Sequence, residues 1–234
     1  MLPRTAALAM GCALLTGCQS SPTDEREQAS SCPAIEIVGV RGQGQSLDAH
    51  RGLGAEVDGI AKALAADLES TGTVRTTAIR HASGLGSWDE YVEDVAEGRE
   101  LLGERLQSIA AECPDTRVAV IGFSQGSQIA REELAAEPEL ARDVDALVLV
   151  GSPLRDPSSS FRHVELPGGL PPAAGRLGPG PDLGDLSERT VEACVTGDTV
   201  CANDGSSDLA VHRKAYEKPA VARAIADAAA DVLG

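Results

Sequence analysis

The sequence predicts a three-layer α/β/α fold, in which helices cover both faces of a central, mainly parallel β-sheet. Strand-like runs alternate with segments of helical periodicity, and no internal repeat is present in the 234 residues. Several of these runs are almost wholly apolar, which is typical of strands buried on both faces of a sheet. With 42% hydrophobic residues, the chain is long enough for one domain with a sizeable core.

The strand-like runs are defined by apolar and β-branched residues between loop-forming segments. They cover residues 34–40, 73–79, 117–121, 146–150 and 190–194. The helices are defined by apolar residues at a spacing of three or four, and they cover residues 57–68, 87–109, 127–136 and 221–232. Active sites of parallel sheets collect at the carboxyl ends of the strands, so catalytic side chains are expected in the loops that follow the strand-like runs.

One long stretch departs from this alternation of strand-like and helical segments. Residues 155–186 are dominated by Pro and Gly, so regular structure is not expected there, and long loops of this kind are usually functional or mobile.

The second helix begins at a capping-box pair, Ser87 and Glu90, and carries an acidic run over residues 90–97. Metal binding is one interpretation of that run, but a solvated helix face is favoured.

The first 17 residues have the features of a targeting segment. Arg4 supplies a positive charge, and residues 6–15 form an apolar run that is too short to span a bilayer. The formal net charge is −16, and it becomes −17 without this segment, which contains one basic residue and no acidic one. A surface with this much negative charge repels polyanions, and nucleic-acid binding is therefore not expected.

The segment ends in Leu15-Thr16-Gly17-Cys18, which resembles the lipobox of bacterial lipoproteins. The predicted organisation is a lipoprotein signal peptide over 1–17, a disordered tether over 18–31 with lipidated Cys18, and a folded domain over 32–234. An ordinary secretory signal with an incidental cysteine is the alternative. Either interpretation predicts an extracytoplasmic protein, anchored to the cell membrane or secreted.

The cysteines of the folded segment are Cys32, Cys113, Cys194 and Cys201, and four cysteines allow three pairings. Cys32 and Cys113 each precede a strand-like run, so a bridge between them is easy if those strands are neighbours. Cys194 and Cys201 would then close a short loop. A metal site is the rival interpretation, but no histidine lies at ligand spacing to any pair. Disulfides are therefore favoured, and no metal or other cofactor is expected.

The most informative motif is Gly122-Phe123-Ser124-Gln125-Gly126, which follows the strand-like run 117–121 and precedes a helix. G-x-S-x-G in this context forms a sharp strand-to-helix turn that exposes a serine hydroxyl. The flanking glycines keep Cβ atoms out of the crowded turn, and the helix start offers free N–H groups to a developing oxyanion. Ser124 is therefore the candidate nucleophile, and an incidental serine in a glycine-rich turn is the alternative.

A serine nucleophile needs a base, and with this motif the base follows the serine along the chain. His50 and His81 precede it, and His163 lies in the Pro/Gly-rich stretch. His212 falls between the last strand-like run and the terminal helix, where the base is expected. His212 is therefore the candidate general base.

The base in turn needs a carboxylate that orients it. Asp198 is favoured because a bridge between Cys194 and Cys201 would fix its turn at the end of the last strand, and rigid support is what such a carboxylate requires. Asp204 and Asp208 are its rivals.

Together these residues resemble the cutinase-like serine esterases. The resemblance rests on Ser124 in G-F-S-Q-G, Asp198 in C-x-x-G-D-x-V-C and His212 in H-x-x-x-Y, and it extends from about Cys32 to the C-terminus. It implies a small α/β-hydrolase with a five-stranded parallel core, a Ser–Asp–His triad, both disulfides as paired above, and no metal.

The resemblance further implies an oxyanion hole formed by the main-chain N–H groups of Gln43 and Gln125. The family usually has Ser or Thr at the position of Gln43, whose side-chain amide is a further candidate donor. The loop between Ser124 and Asp198 is also longer than in compact fungal members. Both departures bear on substrate size and rate more than on reaction type.

The predicted function is hydrolysis of carboxylic esters through an acyl-enzyme, with short- to medium-chain acyl esters, cutin-like polyester or lipid esters as substrates. Alternatives are an acetyl xylan esterase, an acyltransferase on the same scaffold, and a catalytically silent lipoprotein that binds envelope lipid. The expected partners are the ester and, through Cys18, a membrane. A monomer is expected.

Overall fold

Six short strands form one sheet in the computed structural model, which describes residues 32–234. The strands, in chain order, are β1 Ile35–Val40, β2 Val74–Ile79, β3 Arg117–Phe123, β4 Ala146–Val150, β5 Arg162–His163 and β6 Thr190–Ala193. Their order across the sheet is β2-β1-β3-β4-β6-β5, and every pairing among them is parallel. The predicted signal peptide, tether and Cys18 lie outside the described residues.

Helices cover both faces of this sheet. They are α1 Ala55–Leu68, α2 Trp88–Glu112, α3 Gln125–Ala136, α4 Pro138–Arg142, α5 Ala210–Lys214 and α6 Pro219–Leu233, with 3₁₀ turns at His50–Gly52 and Gly184–Arg189. Side chains of β1 alternate between two apolar cores, one shared with α1 and α6 and the other with α2 and α3. The predicted three-layer fold is confirmed.

The expectation of five strands is wrong by one, because β5 adds a sixth at the edge of the sheet. Arg162 pairs with Val191 and His163 with Glu192 of β6. The strand lies inside the Pro/Gly-rich stretch 155–186. Two residues are too few to show a period of alternation, so the sequence carries no signal for it.

Most of the segment between β4 and β6 is irregular, as predicted, but buried arginines bind it to the domain. Arg131 of α3 donates to the carbonyls of Leu154 (2.7 Å), Pro181 (3.0 Å) and Gly180 (3.1 Å). Arg155, 2% exposed, donates to the carbonyl of Ala173 at 2.8 Å. Both ends and the middle of the segment are thereby fixed through their main chain.

Arg155 also belongs to a cluster of buried charged side chains at β6. Nε of Arg155 lies 3.6 Å from Oε2 of Glu192, and Nδ1 of His163 lies 3.4 Å from the same oxygen. Removing one partner of a buried ion pair leaves a buried charge uncompensated, so this cluster ties the irregular segment to the sheet.

Both predicted disulfides are present. β1 and β3 are neighbours, and Cys32 and Cys113, which precede them, are bridged with their Cα atoms 5.6 Å apart. Cys194 and Cys201 are bridged with Cα atoms 5.8 Å apart, closing the short loop after β6. Within residues 32–234, no helix is long and apolar enough to cross a membrane.

Candidate active site

Ser124 stands at the tip of a sharp turn between β3 and α3. Its backbone is in a strained region, with φ 54° and ψ −117°, a conformation that is costly for a residue other than glycine. A Cβ on Gly122 would lie 2.4 Å from the carbonyl oxygen of Gly126, and one on Gly126 would lie 2.1 Å from that of Val40. Only glycine fits at both positions, which is why the motif folds this way.

Hydrogen bonds from neighbouring strands hold the turn. The N–H of Ser124 donates to the carbonyl of Val150 at 2.9 Å. The buried hydroxyl of Ser127 accepts from the N–H of Val150 at 2.9 Å and lies 2.6 Å from the carbonyl oxygen of Gly122. Ser127 therefore supports the turn from below, a role that the motif alone does not reveal.

The three residues predicted from chain order lie together at the carboxyl edge of the sheet. Nε2 of His212 lies 2.9 Å from Oγ of Ser124, and its Nδ1 lies 2.9 Å and 3.0 Å from the two carboxylate oxygens of Asp198. Asp198 is fully buried and His212 is 6% exposed. Phe123 stacks on the imidazole with ring centroids 4.8 Å apart, which fixes the plane of the ring.

Asp198 is surrounded by hydrogen-bond donors. Besides His212, it accepts from the phenol of Tyr216 at 2.6 Å and from the N–H of Val200 at 2.8 Å. Burial by itself raises the pKa of the Asp198 carboxyl, but these donors and the charge of His212 outweigh it and bring the pKa below its usual value. The carboxylate is therefore ionised at neutral pH, as the orientation of an imidazole requires.

The other candidates lie elsewhere. Asp204 and Asp208 accept main-chain N–H groups two residues further along, from Ser206 and Ala210, so both shape their own loop. His163 faces Glu192 in the buried cluster. His81 is fully buried, and burial together with the neighbouring Arg41 lowers its pKa. The fourth, His50, is exposed and lies beside Asp58.

The two predicted oxyanion donors are Gln43, in the loop after β1, and Gln125, at the start of α3. Gln125 is the first residue of α3, so its N–H has no acceptor within the helix. The start of α3 packs directly against the end of β1, where the loop with Gln43 begins. The side-chain amide of Gln43 donates one of its two N–H groups to the carbonyl of Gly84 at 2.9 Å, which holds this side chain against the segment before α2. The main-chain N–H of Gln43 is the predicted donor to an oxyanion.

Part of the acidic run of α2 has a structural task near this loop. Asp94 accepts the N–H of Gly84 at 2.9 Å, and Glu97 accepts the N–H of Ala82 at 2.7 Å. Glu90 completes the capping box with Ser87. These carboxylates hold the segment that receives the amide of Gln43. Within residues 32–234, no group of three or more His, Cys, Asp or Glu is placed to bind a metal ion.

A cavity of about 650 Å³ opens above Ser124. Two apolar groups line it: Leu85, Trp88 and Tyr91 near the start of α2, and Pro153, Leu177 and Leu209, which lie in the loops after β4, β5 and β6 respectively. The rings of Trp88 and Tyr91 stack at 5.1 Å, and Trp88 is 60% exposed. A hydrogen-bonded Ser–His–Asp chain beside a cavity with both apolar and charged walls has the geometry that attack on an acyl group requires.

Comparison with known proteins agrees with this geometry. The family model described as Cutinase matches residues 31–231. The chain belongs to the cutinase family. A relative, carboxylesterase Culp1 of Mycobacterium tuberculosis, is 28% identical over 210 residues, covering 88% of this chain and 87% of the relative.

Solved structures share the cutinase fold with this chain. The catalytic core domain of acetyl xylan esterase from Trichoderma reesei has a TM-score of 0.66 at 20% identity, covering 85% of this chain and 99% of that one. A cutinase-like protein from Cryptococcus sp. has a TM-score of 0.67 at 17% identity, covering 87% and 95%. Family membership identifies the protein as a carboxylic ester hydrolase. Its two disulfides fit an extracytoplasmic location.

Proposed function

We propose that this cutinase-family hydrolase is a serine esterase that works through an acyl-enzyme. The observation that carries the proposal is the continuous hydrogen-bond chain from Ser124 through His212 to Asp198, with distances of 2.9 Å on both sides of the imidazole. Ser124 is the nucleophile, His212 the general base and Asp198 the residue that orients and stabilises the imidazolium.

In the first half-reaction, Nε2 of His212 takes the proton of Ser124 as Oγ forms a bond to the ester carbonyl carbon. The carbonyl oxygen becomes an oxyanion, which accepts hydrogen bonds from the N–H groups of Gln125 and Gln43. The imidazolium then gives its proton to the leaving alcohol as the C–O bond breaks. The acyl group is left on Ser124.

The second half-reaction repeats these roles with water. His212 removes a proton from a water molecule, which attacks the acyl carbon, and the same N–H groups hold the second oxyanion. Collapse of that intermediate releases the carboxylic acid and returns the proton to Ser124. The leaving group is the serine oxygen, so the enzyme is regenerated without a cofactor.

Short- to medium-chain acyl esters are the favoured substrates. The apolar residues around the cavity supply contacts for a hydrocarbon chain, and the cavity is open enough to admit an ester that is part of a lipid or polyester. The similarity to a carboxylesterase supports the same class.

Acetyl xylan esterase activity is the second candidate. Relatives of that name support it, and so does Trp88, which is 60% exposed, stacks on Tyr91 and lines the cavity, where its ring can contact a sugar ring. The two candidates differ in acyl length, because deacetylation of xylan needs only a two-carbon acyl group.

We also propose that residues 1–17 form a lipoprotein signal peptide, that Cys18 carries lipid, and that residues 18–31 tether a monomeric domain over 32–234. Metabolic labelling with a fatty-acid analogue tests this organisation. The wild-type protein should take up the label and Cys18→Ser should not, and equal labelling of the two proteins would contradict lipidation at that residue.

The catalytic proposal is tested with a fluorophosphonate probe and p-nitrophenyl esters from acetyl to palmitoyl, with acetylated xylan as a further substrate. Ser124→Ala should abolish labelling and lower kcat by about 10⁴-fold or more, while the unfolding transition is retained. Ser158→Ala is the control, since Ser158 is an exposed serine that does not line the cavity. Labelling of the Ser124→Ala protein at the wild-type level would reject Ser124 as the nucleophile.

A further inference from the structure

The side chain of Gln45 bridges the loop after β1 to the first turn of α1. Its Oε1 accepts the N–H of Gly42 at 2.7 Å, and its Nε2 donates to Oε2 of Glu56. Glu56 is 2% exposed, and both residues line the cavity above Ser124. Gly42 directly precedes Gln43, whose main-chain N–H is one of the two proposed oxyanion donors.

The orientation of this amide is determined by its partners. The main-chain N–H of Gly42 can only donate, so it must meet the oxygen of the Gln45 amide, and the NH₂ group must then face Glu56. A carboxyl group supplies the acceptor that the NH₂ group needs. Gly54, with φ +77°, leaves the space, because a Cβ there would lie 2.1 Å from Oε1 of Gln45.

The main chain of the same loop is held independently. The carbonyl of Gln45 accepts from Nε of Arg41 at 3.0 Å and from the hydroxyl of Ser83 at 3.3 Å. The guanidinium of Arg41, 2% exposed, also donates to the carbonyls of Ile79 and His81. The loop is thus fixed at residues 41 and 45, and the Gln45 amide fixes residue 42 between them.

We infer that Gln45 and Glu56 are positioning residues for catalysis, which set the direction of the Gln43 main-chain N–H by holding the peptide of Gly42. This inference rests on the proposed function, in which that N–H binds the oxyanion. Neither side chain needs to touch the substrate. Small displacements of an oxyanion donor are costly because the bond forms fully only in the transition state.

Burial and several neighbouring groups shift the pKa of the Glu56 carboxyl. Burial raises the pKa of the Glu56 carboxyl, and so does the nearby Glu217, whereas the hydrogen bond from Gln45 and the charge of His212 lower it. Arg213 lines the same cavity, and Asp58 of the same helical turn is paired with Arg51 and Lys62. Both the ionised and the protonated Glu56 carboxyl can accept from the NH₂ group of Gln45. We therefore expect the hydrogen bond between these two side chains to persist across the pH range in the wild type.

Exchange of the two functional groups provides the test. In Gln45→Glu, the new carboxylate still accepts from Gly42 but faces Glu56 without a donor, so the two carboxyls must share one proton. Relative to the wild type, kcat should match at about pH 6 and be lower at about pH 9 by up to about 100-fold, with KM unchanged. Ser46→Glu, which adds the same charge to an exposed neighbour, should keep the wild-type pH profile.

The double variant Gln45→Glu/Glu56→Gln restores one donor and one acceptor in exchanged positions, and it should recover the wild-type pH profile. Glu56→Gln keeps an acceptor for the NH₂ group of Gln45, whereas Glu56→Met removes it, so Glu56→Met should lower kcat more than Glu56→Gln at all pH values. If Gln45→Glu does not fold, the comparison of Glu56→Gln with Glu56→Met still tests the positioning role. A thermal unfolding measurement on each variant separates stability from rate.

Two outcomes would overturn the inference. One is a wild-type pH profile for folded Gln45→Glu, and the other is equal kcat for Glu56→Gln and Glu56→Met. Failure of the proposed function is recognised separately, because the wild-type protein would then not react with the fluorophosphonate at Ser124.

Discussion

The phenol of Tyr216 donates a 2.6 Å hydrogen bond to Oδ2 of Asp198 and accepts one from the N–H of Val195 at 3.0 Å. Tyr216 is fully buried, so no water competes for these bonds. Burial and the adjacent Asp198 charge raise the pKa of the phenol well above its usual value, so it remains a proton donor to the carboxylate. A single hydroxyl therefore joins the proposed acid to the end of β6.

Tyr216→Phe should lower both stability and rate. Loss of a buried hydrogen bond to a charged group costs about 1.5–3 kcal/mol of unfolding free energy, and the carboxylate that orients His212 becomes less fixed. Denaturant unfolding and kcat measure the two effects. Tyr91→Phe is the control, since it removes a bond to the neutral amide of Gln128 and should cost only about 0.5–1.5 kcal/mol. Equal losses in both variants would contradict the assigned role.

Asp198 should make stability depend on pH in the acid range. Its pKa is lowered in the folded state, so its stabilising contribution is present above the unfolded value of about 3.9 and is lost as pH falls through the folded value. The difference in unfolding free energy between the wild type and Asp198→Asn should therefore narrow below about pH 4. A difference that widens on acidification would show that the carboxylate is not stabilised by its donors.

Gly126→Ala should damage the fold at the serine turn. The added Cβ would meet the main-chain oxygens of Val40 and Arg41 at 2.1 and 2.7 Å, and these atoms cannot move aside cheaply. We expect a loss of about 3 kcal/mol or more and of esterase activity. Gly59→Ala in α1 is the matched control, because its Cβ comes no closer than 3.8 Å to Ala222. It should stabilise the protein by about 0.5–1 kcal/mol in the same unfolding assay.

Removal of one disulfide should mainly lower stability, and removal of the other should mainly lower kcat. Cys32–Cys113 spans 81 residues and Cys194–Cys201 spans 7, so loop-closure entropy gives contributions of roughly 4.5 and 2.5 kcal/mol. Replacing Cys194 and Cys201 by Ser should nevertheless reduce kcat more, because Asp198 lies inside the loop that they close. Thermal unfolding and kcat of the two double variants test this, and a larger loss of kcat without Cys32–Cys113 would refute it.

The sequence predicts those parts of the fold and the candidate site that depend on local backbone geometry and chain order. The turn at Ser124 needs glycine on both sides, and the positions of Asp198 and His212 follow from strand order. Each of these features has a recognisable pattern within a few residues of the sequence. Alternating strand-like and helical segments likewise give the three layers.

The parts that escaped prediction are contacts between distant segments. Gln45 and Glu56 meet only because the loop after β1 folds back onto α1, and a single Gln or Glu carries no signature of such a bridge. Nothing in the sequence pattern singles out Arg131 and Arg155, yet both are 2% exposed and bind main-chain carbonyls of the irregular segment. Burial of a charged side chain depends on partners that sequence spacing does not reveal.

We expect these two arginines to keep the approach to Ser124 open. The loop they fix supplies Pro153 and Leu177 to the cavity, and its carbonyls are bound in the resting protein, so it has little freedom to swing across the entrance. Turnover of a dissolved ester should start without a lag. A plot of velocity against concentration should pass smoothly through the point where the ester begins to form micelles, because no cover has to be displaced by an oil–water boundary.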